Sequence, residues 1–369
     1  MSAHSDRLDP AFIESFSADD ALLLASDSVC RALASSSIIR PQDMLICNRD
    51  IAEQIEPDAR AGALLRVADD IEAASFAAAS EPFFCSDDGV AAERCLIWLV
   101  SSIAPTGARV ADIGALADAA AQAKAVLIVD NSIATHFCCT PLLLGADAVA
   151  EPLVVSVIEP ECPSDSVSLS FVALAWREAR RRGGKHACGR ARGSRMRLAR
   201  RVFAADIDEV ELSAELVCAA ERAVRAQALC AQKRNDHARA IAEYLSCHPR
   251  VEAVRYPGFE AHVDHERASR VLRHGFGPII EIDLDGIESA TSIAKALDHR
   301  SGTSASSLMV SPSTPDQHDP ARITRARVFS AASSVRADRE RGGGRRVILS
   351  VGTDDPLVVL NLIEHALAS

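Results

Sequence analysis

Lysine is almost missing from this chain. Its 369 residues hold four, Lys124, Lys185, Lys233 and Lys295, against 36 arginines. Any chemistry that needs a primary amine as nucleophile has only these positions to draw on. Aromatics are scarce as well, at 4%, so aliphatic side chains and alanine must dominate the packing. No run approaches the ~18 apolar residues of a membrane-spanning helix. The start, MSAHSDRLDPAF, lacks the basic-then-apolar pattern of a secretory leader. The eleven cysteines include no C-x-x-C pair and no metal-type spacing, which predicts free thiols and a cytoplasmic protein. A net charge of −11 argues against whole-chain affinity for nucleic acid or an anionic membrane.

What is present is ordinary for a globular protein: 48% hydrophobic and 25% charged residues. The length suits two domains. Short apolar runs, DMLIC at Asp43–Cys47, CLIWLV at Cys95–Val100 and Ala125–Val129, read as buried strands. Pro152–Ile158 reads as one more. Val110–Gln122 reads as a helix between two of them, and the alanine- and leucine-rich Ala21–Ala34 reads as another helix. Such alternation predicts parallel βαβ units in a sheet covered on both faces. A long helical stretch follows over Asp206–Leu245. After it come a strand at Val251–Tyr256, a helix at His265–Arg273, a strand at Ile279–Leu284, a helix at Ser289–Leu297, a strand at Val347–Val351 and a closing helix at Asp355–Ala368. Thr303–Arg341 is polar and reads as a loop. The expected division is a loose segment 1–20, a large α/β domain 21–205, a connecting helix 206–245 and a smaller α+β domain 246–369.

Residues 177–201 form a basic block with ten arginines, Lys185 and a single acid, Glu178. It reads as a solvated insertion, with an anion- or nucleic-acid-binding face as the alternative. Only Trp176 lies close enough in sequence to stack on a base. His136 with Cys138 and Cys139 is too small a set for zinc, which needs four ligands. His262-x-x-His265, with Asp264, reads as a solvated helix cap. Gly342–Gly344 lacks the Gly-Lys-Ser/Thr of a phosphate loop, and no Gly-x-Ser-x-Gly elbow occurs.

Four passages, in order, are similar to the Cys/Met-metabolism family of pyridoxal-phosphate (PLP) enzymes, the transsulfuration group. Arg109-Val110-Ala111-Asp112-Ile113 and Val129-Asp130-Asn131 resemble its cofactor-core strands, followed by Leu144-Gly145-Ala146-Asp147. Arg234–Pro257, Leu308–Thr314 and Leu349–Asp355 resemble passages of its C-terminal part. The resemblance implies a type I PLP-dependent aminotransferase-like fold, a mostly parallel sheet between helices plus a smaller α+β domain. It also implies PLP as cofactor and a dimer or tetramer, of this chain alone or with an active relative.

The resemblance makes Asp130 the cofactor-binding acid that keeps the pyridine nitrogen protonated. An acid at a strand's C-terminal end is also the place where ligands bind in open α/β sheets. A turn-capping Asp is the structural alternative. The family's cofactor lysine falls on Val155, or on Pro160 if Ser164-Asp165 is the matching pair. Its substrate-carboxylate arginine falls on Ile348, with Arg346 on the same strand face as a possible substitute. Ile51-Ala52-Glu53 offers no stacking aromatic after Asp50, and Ala25-Ser26-Asp27-Ser28 places an acid where the family grips phosphate. These departures imply a scaffold without transsulfuration chemistry. The alternative is an active C–S lyase or synthase on cysteine- or homoserine-type amino acids, with Lys185 in the lysine's place. No catalytic residue is assigned.

Overall fold

The computed structural model describes residues 10–26, 29–35, 38–40, 42–53, 64–84, 94–158, 166–177, 214–286, 288–289, 292–293, 334–338 and 345–368. Most of the basic block, Pro160, Leu308–Thr314 and most of the 303–341 loop lie outside them.

The first half runs α1 (Pro10–Ser15), β1 (Asp20–Ala25), α2 (Val29–Ser35), β2 (Met44–Asn48), α3 (Arg49–Ala52), β3 (Leu64–Ala68), α4 (Ala73–Phe84) and β4 (Leu96–Ser101). A small hairpin, β5 (Ile103–Ala104) and β6 (Arg109–Val110), follows, with a 3-10 turn at Thr106–Ala108. Next come α5 (Ile113–Ala123), β7 (Val126–Asp130), α6 (Thr135–Cys138), α7 (Pro141–Leu144), β8 (Ala148–Ile158) and β9 (Ser166–Trp176). The second half holds α8 (Ala214–Ser246), β10 (Val251–Arg255), α9 (His265–Val271), β11 (Ile279–Leu284), β12 (Ser334–Asp338), β13 (Arg346–Ser350) and α10 (Pro356–Ala368).

A seven-stranded sheet has the order β1-β9-β8-β7-β4-β2-β3. The pairs β3–β2, β2–β4, β4–β7 and β7–β8 are parallel, while β9 and β1 add antiparallel. The expected strands β2, β4 and β7 are buried along their whole length, as strands of a sheet covered on both faces should be. Trp98, the largest fully buried side chain, packs tilted against Phe76 of α4 and donates its indole N–H to Ser80 Oγ at 2.9 Å. Pro152 interrupts no parallel ladder, because the β7 pairing has ended at Ala150.

One expectation fails. Ala21–Ala34 is not a single helix: its first part is β1, laid antiparallel on β9 from Asp20↔Trp176 to Ala25↔Phe171. Ala21, Leu22, Leu23 and Leu24 are all buried. The sheet ladder and burial of consecutive side chains override the modest helix preference of alanine and leucine.

The second sheet is antiparallel, in the order β10-β11-β13-β12. One face packs on α8 and α10: Ala238, Ile241, Ala242 and Leu245, at helical spacing, join Ile280, Ile282, Val347, Leu349 and Ile363 in a single cluster. The other face of β11 and β13 carries Glu281, Asp283, Arg346 and Ile348.

The chain divides into two compact units. One comprises residues 1–102, 111–132 and 139–225, the other 103–110, 133–138 and 226–369. The β5–β6 hairpin therefore belongs to the C-terminal unit, although the sequence on either side of it belongs to the first.

Candidate functional site at the strand ends

Parallel register brings the C-terminal ends of β2, β4 and β7 to one edge of the large sheet, beside the first residues of β8. Ser101 pairs with Asp130, and Asp130 with Ala150. Asn48, at the end of β2, accepts the Ser101 N–H through Oδ1 at 3.0 Å. This edge thus gathers Asn48, Ser101, Ser102, Asp130, Asn131, Ser132 and Glu151, every one buried.

Asp130 sits where the sequence places it, but its carboxylate is already engaged. Its Oδ1 accepts the Ser132 backbone N–H at 3.0 Å and also a short hydrogen bond from Ser132 Oγ. This is an Asx turn after a strand, the structural alternative raised by the sequence. Burial pushes the acid up to about 6, the two Ser132 bonds pull it back, and the charge of Glu151 adds to the rise. Burial likewise pushes the Cys30 thiol of α2 well above its ordinary range, with the Asp130 charge as the next cause.

Asn131 ties the edge together. Its Nδ2 donates to Cys139 O and to Glu151 Oε2, each at 3.2 Å, and its N–H to Ala150 O at 2.9 Å. Its Oδ1 and the Ser102 hydroxyl are buried acceptors with no hydrogen-bond partner. Glu151 is 1% exposed. It could not be picked out in sequence, because only the β7–β8 register brings it beside Asn131.

PLP would need an acid for its ring nitrogen, an amine for its aldehyde and a cradle for its phosphate. The acid is present and buried. Of the two described lysines, Lys124 caps α5 in a left-handed conformation (φ 55°) just before β7 begins. The length of β7, roughly 17 Å at the usual rise per residue, separates it from Asp130. Lys233 lies in α8, within the other unit. Val155 is a strand residue of β8 opposite Leu169. Ile51 and Ala52, after Asp50, are buried in the apolar cluster and not placed to stack on a ring. Asp27 and Ser28 lie outside the described residues. The described residues of this unit fit the ring-nitrogen end of PLP and do not fit its covalent anchoring.

In the C-terminal unit Ile348 is 4% exposed and opposite Glu281. Arg346 is held by carboxylates: its Nε lies 2.8 Å from Asp283 Oδ1 and 3.4 Å from Glu281 Oε1. Cys138 Sγ accepts the Asn235 amide at 3.0 Å. Among the described residues, no three His, Cys, Asp or Glu side chains are grouped to hold a metal ion, and no helix is long and apolar enough to cross a membrane.

Asp264 corrects the sequence reading. It is 2% exposed, and it makes no side-chain cap to α9. Its carboxylate instead binds Arg109 Nε at 2.6 Å, the Val110 N–H at 3.0 Å and Arg267 at 3.3 Å. A nearby Asp in a His-rich turn reads as solvated only when the distant Arg109 is left out of view.

Residues 211–313 match the family model of the Cys/Met metabolism PLP-dependent enzymes. A cystathionine gamma-synthase of Mycobacterium bovis is 29% identical over 193 residues, 51% of this chain and 42% of that protein. A chloroplastic cystathionine beta-lyase of Arabidopsis thaliana is 31% identical over 173 residues, 46% of this chain and 32% of that protein. The chain thus spans less than half the length of the curated relatives it matches. Among solved structures, apo CalE6, a methionine gamma lyase from Micromonospora echinospora, superposes with a TM-score of 0.65 at 20% identity, covering 99% of this chain and 85% of that one. The O-acetylhomoserine sulfhydrylase of Wolinella succinogenes gives 0.65 at 15% identity, covering 97% and 96%. These likenesses carry the fold, a mostly parallel sheet with helices and a smaller C-terminal sheet.

Proposed function

We propose that this relative of the Cys/Met metabolism PLP-dependent enzymes has kept their scaffold without transsulfuration chemistry, and acts as a non-catalytic partner or scaffold subunit. One observation carries the reading: Asp130, the family's ring-nitrogen acid by resemblance, is buried and bonded by Ser132, with Lys124 at the far end of its strand. The lysine of such a site both anchors the cofactor and moves substrate protons, so its loss removes nucleophile and base together. Titrating the full chain with PLP tests this. A spectrum equal to that of free PLP is expected, and a new visible band abolished by borohydride would sink the reading.

The likeness to a cystathionine gamma-synthase over 193 residues favours a second reading, an active PLP-dependent C–S lyase or synthase on cysteine- or homoserine-type amino acids. It requires an amine from elsewhere, with Lys185 as the candidate. Turnover of cystathionine by the purified chain would establish it.

As assembly, the proposal is a homo-oligomer or a hetero-oligomer with an active relative. Light scattering of the purified chain, and co-purification with a full-length relative, distinguish them. Retention on heparin at moderate salt would instead support anion binding by the 177–201 block.

A further inference from the structure

The turn that carries His262 and Asp264 faces the β5–β6 segment, residues 103–110, within the C-terminal unit. Both backbone groups of Gly107 are held there: its N–H donates to Glu281 Oε2 at 2.6 Å, and its carbonyl meets His262 Nε2 at 3.1 Å. On its other side the His262 ring receives the Asp264 N–H at Nδ1, also at 3.1 Å. A carbonyl can only accept and a backbone N–H can only donate, so these two bonds fix the neutral ring with its hydrogen on Nε2. A second proton would have to enter at Nδ1, directly against the Asp264 N–H. The charged ring cannot keep the turn as it stands.

The same turn grips the segment further along. The Asp264 carboxylate takes Arg109 and the Val110 N–H, and Arg267 of α9 donates to Val110 O at 3.0 Å. Asp264 N–H and the Asp264 carboxylate belong to one residue, so moving the first disturbs the second.

We propose that His262 is a proton-operated latch, which holds residues 103–110 on the C-terminal unit while neutral and releases them when protonated. The inference is independent of whether the chain binds PLP. The charges facing the ring are Asp264 in its own turn, Arg109 from the segment and His265 from α9, with Arg267 and Glu281 bound to the same segment. Burial holds the ring below its ordinary 6.5, and Arg109 and His265 act in the same direction. The Gly107 bond and Asp264 oppose them, but the Asp264 carboxylate is already shared with Arg109. A histidine held below its unfolded value contributes stability that is present above pH ~6.5 and lost as pH falls through the lower folded value.

The test is amide hydrogen exchange of the full chain at about pH 7.5 and about pH 5, corrected for intrinsic rates, with His262→Gln beside the native protein. Glutamine supplies one donor and one acceptor and cannot take a proton. The native chain should lose at least tenfold protection at Gly107 and Val110 in acid, and His262→Gln should not. Equal acid release in both would overturn the latch and assign the effect to the carboxylates; no release in the native chain would overturn it too. If His262→Gln does not fold, the ring nitrogen shifts of the native protein decide: Nε2–H at neutral pH is required, and the Nδ1–H form contradicts the proposal.

Discussion

Two acids meet opposite fates in this molecule, the buried Asp130 and the partly buried Asp283. At the strand ends of the large sheet, Asp130 is bonded by the uncharged Ser132 and neighboured by Glu151, and burial pushes it up to about 6. On the small sheet, Asp283 is also pushed up by burial, but hydrogen bonds from Arg255 and Arg346 outweigh this and hold it at about 2. The difference lies in partners. A carboxylate is stable as an anion only where cations or several N–H groups are built around it. The C-terminal unit places arginines 109, 255, 267 and 346 on Asp264, Glu281 and Asp283, although at the buried Glu281 burial still outweighs Arg346 and Arg255 and keeps the acid raised. Asp130 has an oxygen partner that suits a neutral acid as well as a charged one.

The largest effect should come from breaking the arginine-rich side. Asp264→Ala leaves Arg109 and the Val110 N–H without their acceptor, and removing one member of a buried pair costs about 3–5 kcal/mol. Urea unfolding of the variant should show the loss, with Asp264→Asn losing less because it still accepts from Val110. A loss under ~1 kcal/mol would mean that the network is solvated, as the sequence first suggests.

The next effect has the opposite sign. Asp130 holds its proton more tightly folded than unfolded, so the native chain should gain stability as pH falls through about 6. Asp130→Asn keeps an acceptor for Ser132 and removes the charge. It should be more stable than the native chain by about 1–3 kcal/mol near pH 8, and close to it near pH 4. Destabilisation at both values would show that the carboxylate has an unrecognised cationic partner. In the small sheet the sign is the usual one: the stability from Asp283 is present above about 3.8 and lost as pH falls through about 2.

The smallest effect sharpens the cause. Ser132 pulls Asp130 down, so Ser132→Ala should move the Asp130 titration above about 6, read from its carboxyl carbon shift. An unchanged titration would leave burial alone in control.

The framework was legible because its signals are local. The apolar runs of β2, β4, β7 and β11 and the helical spacing along α8 each announce their element, and the strand-end position of Asp130 follows from VLIVD. What stayed hidden depends on pairing across long sequence separations. β1 is a strand because β9 lies beside it, with Ala21 paired to Ala175, a partner that no local pattern of DALLLA contains. Glu151 meets Asn131 only through the β7–β8 register, and Asp264 is buried only because Arg109 reaches it. Conversely, the scarcity of lysine was visible at once, and the structure adds to it the strand-long distance between Lys124 and Asp130.

The most direct measurement is peptide mapping of the full chain after incubation with PLP and reduction with borohydride. The account predicts no lysine carrying a stoichiometric pyridoxyl mass. A single peptide bearing it in full yield, whether at Lys124, Lys185, Lys233 or Lys295, would contradict the account and name the residue that had taken over the family's lysine.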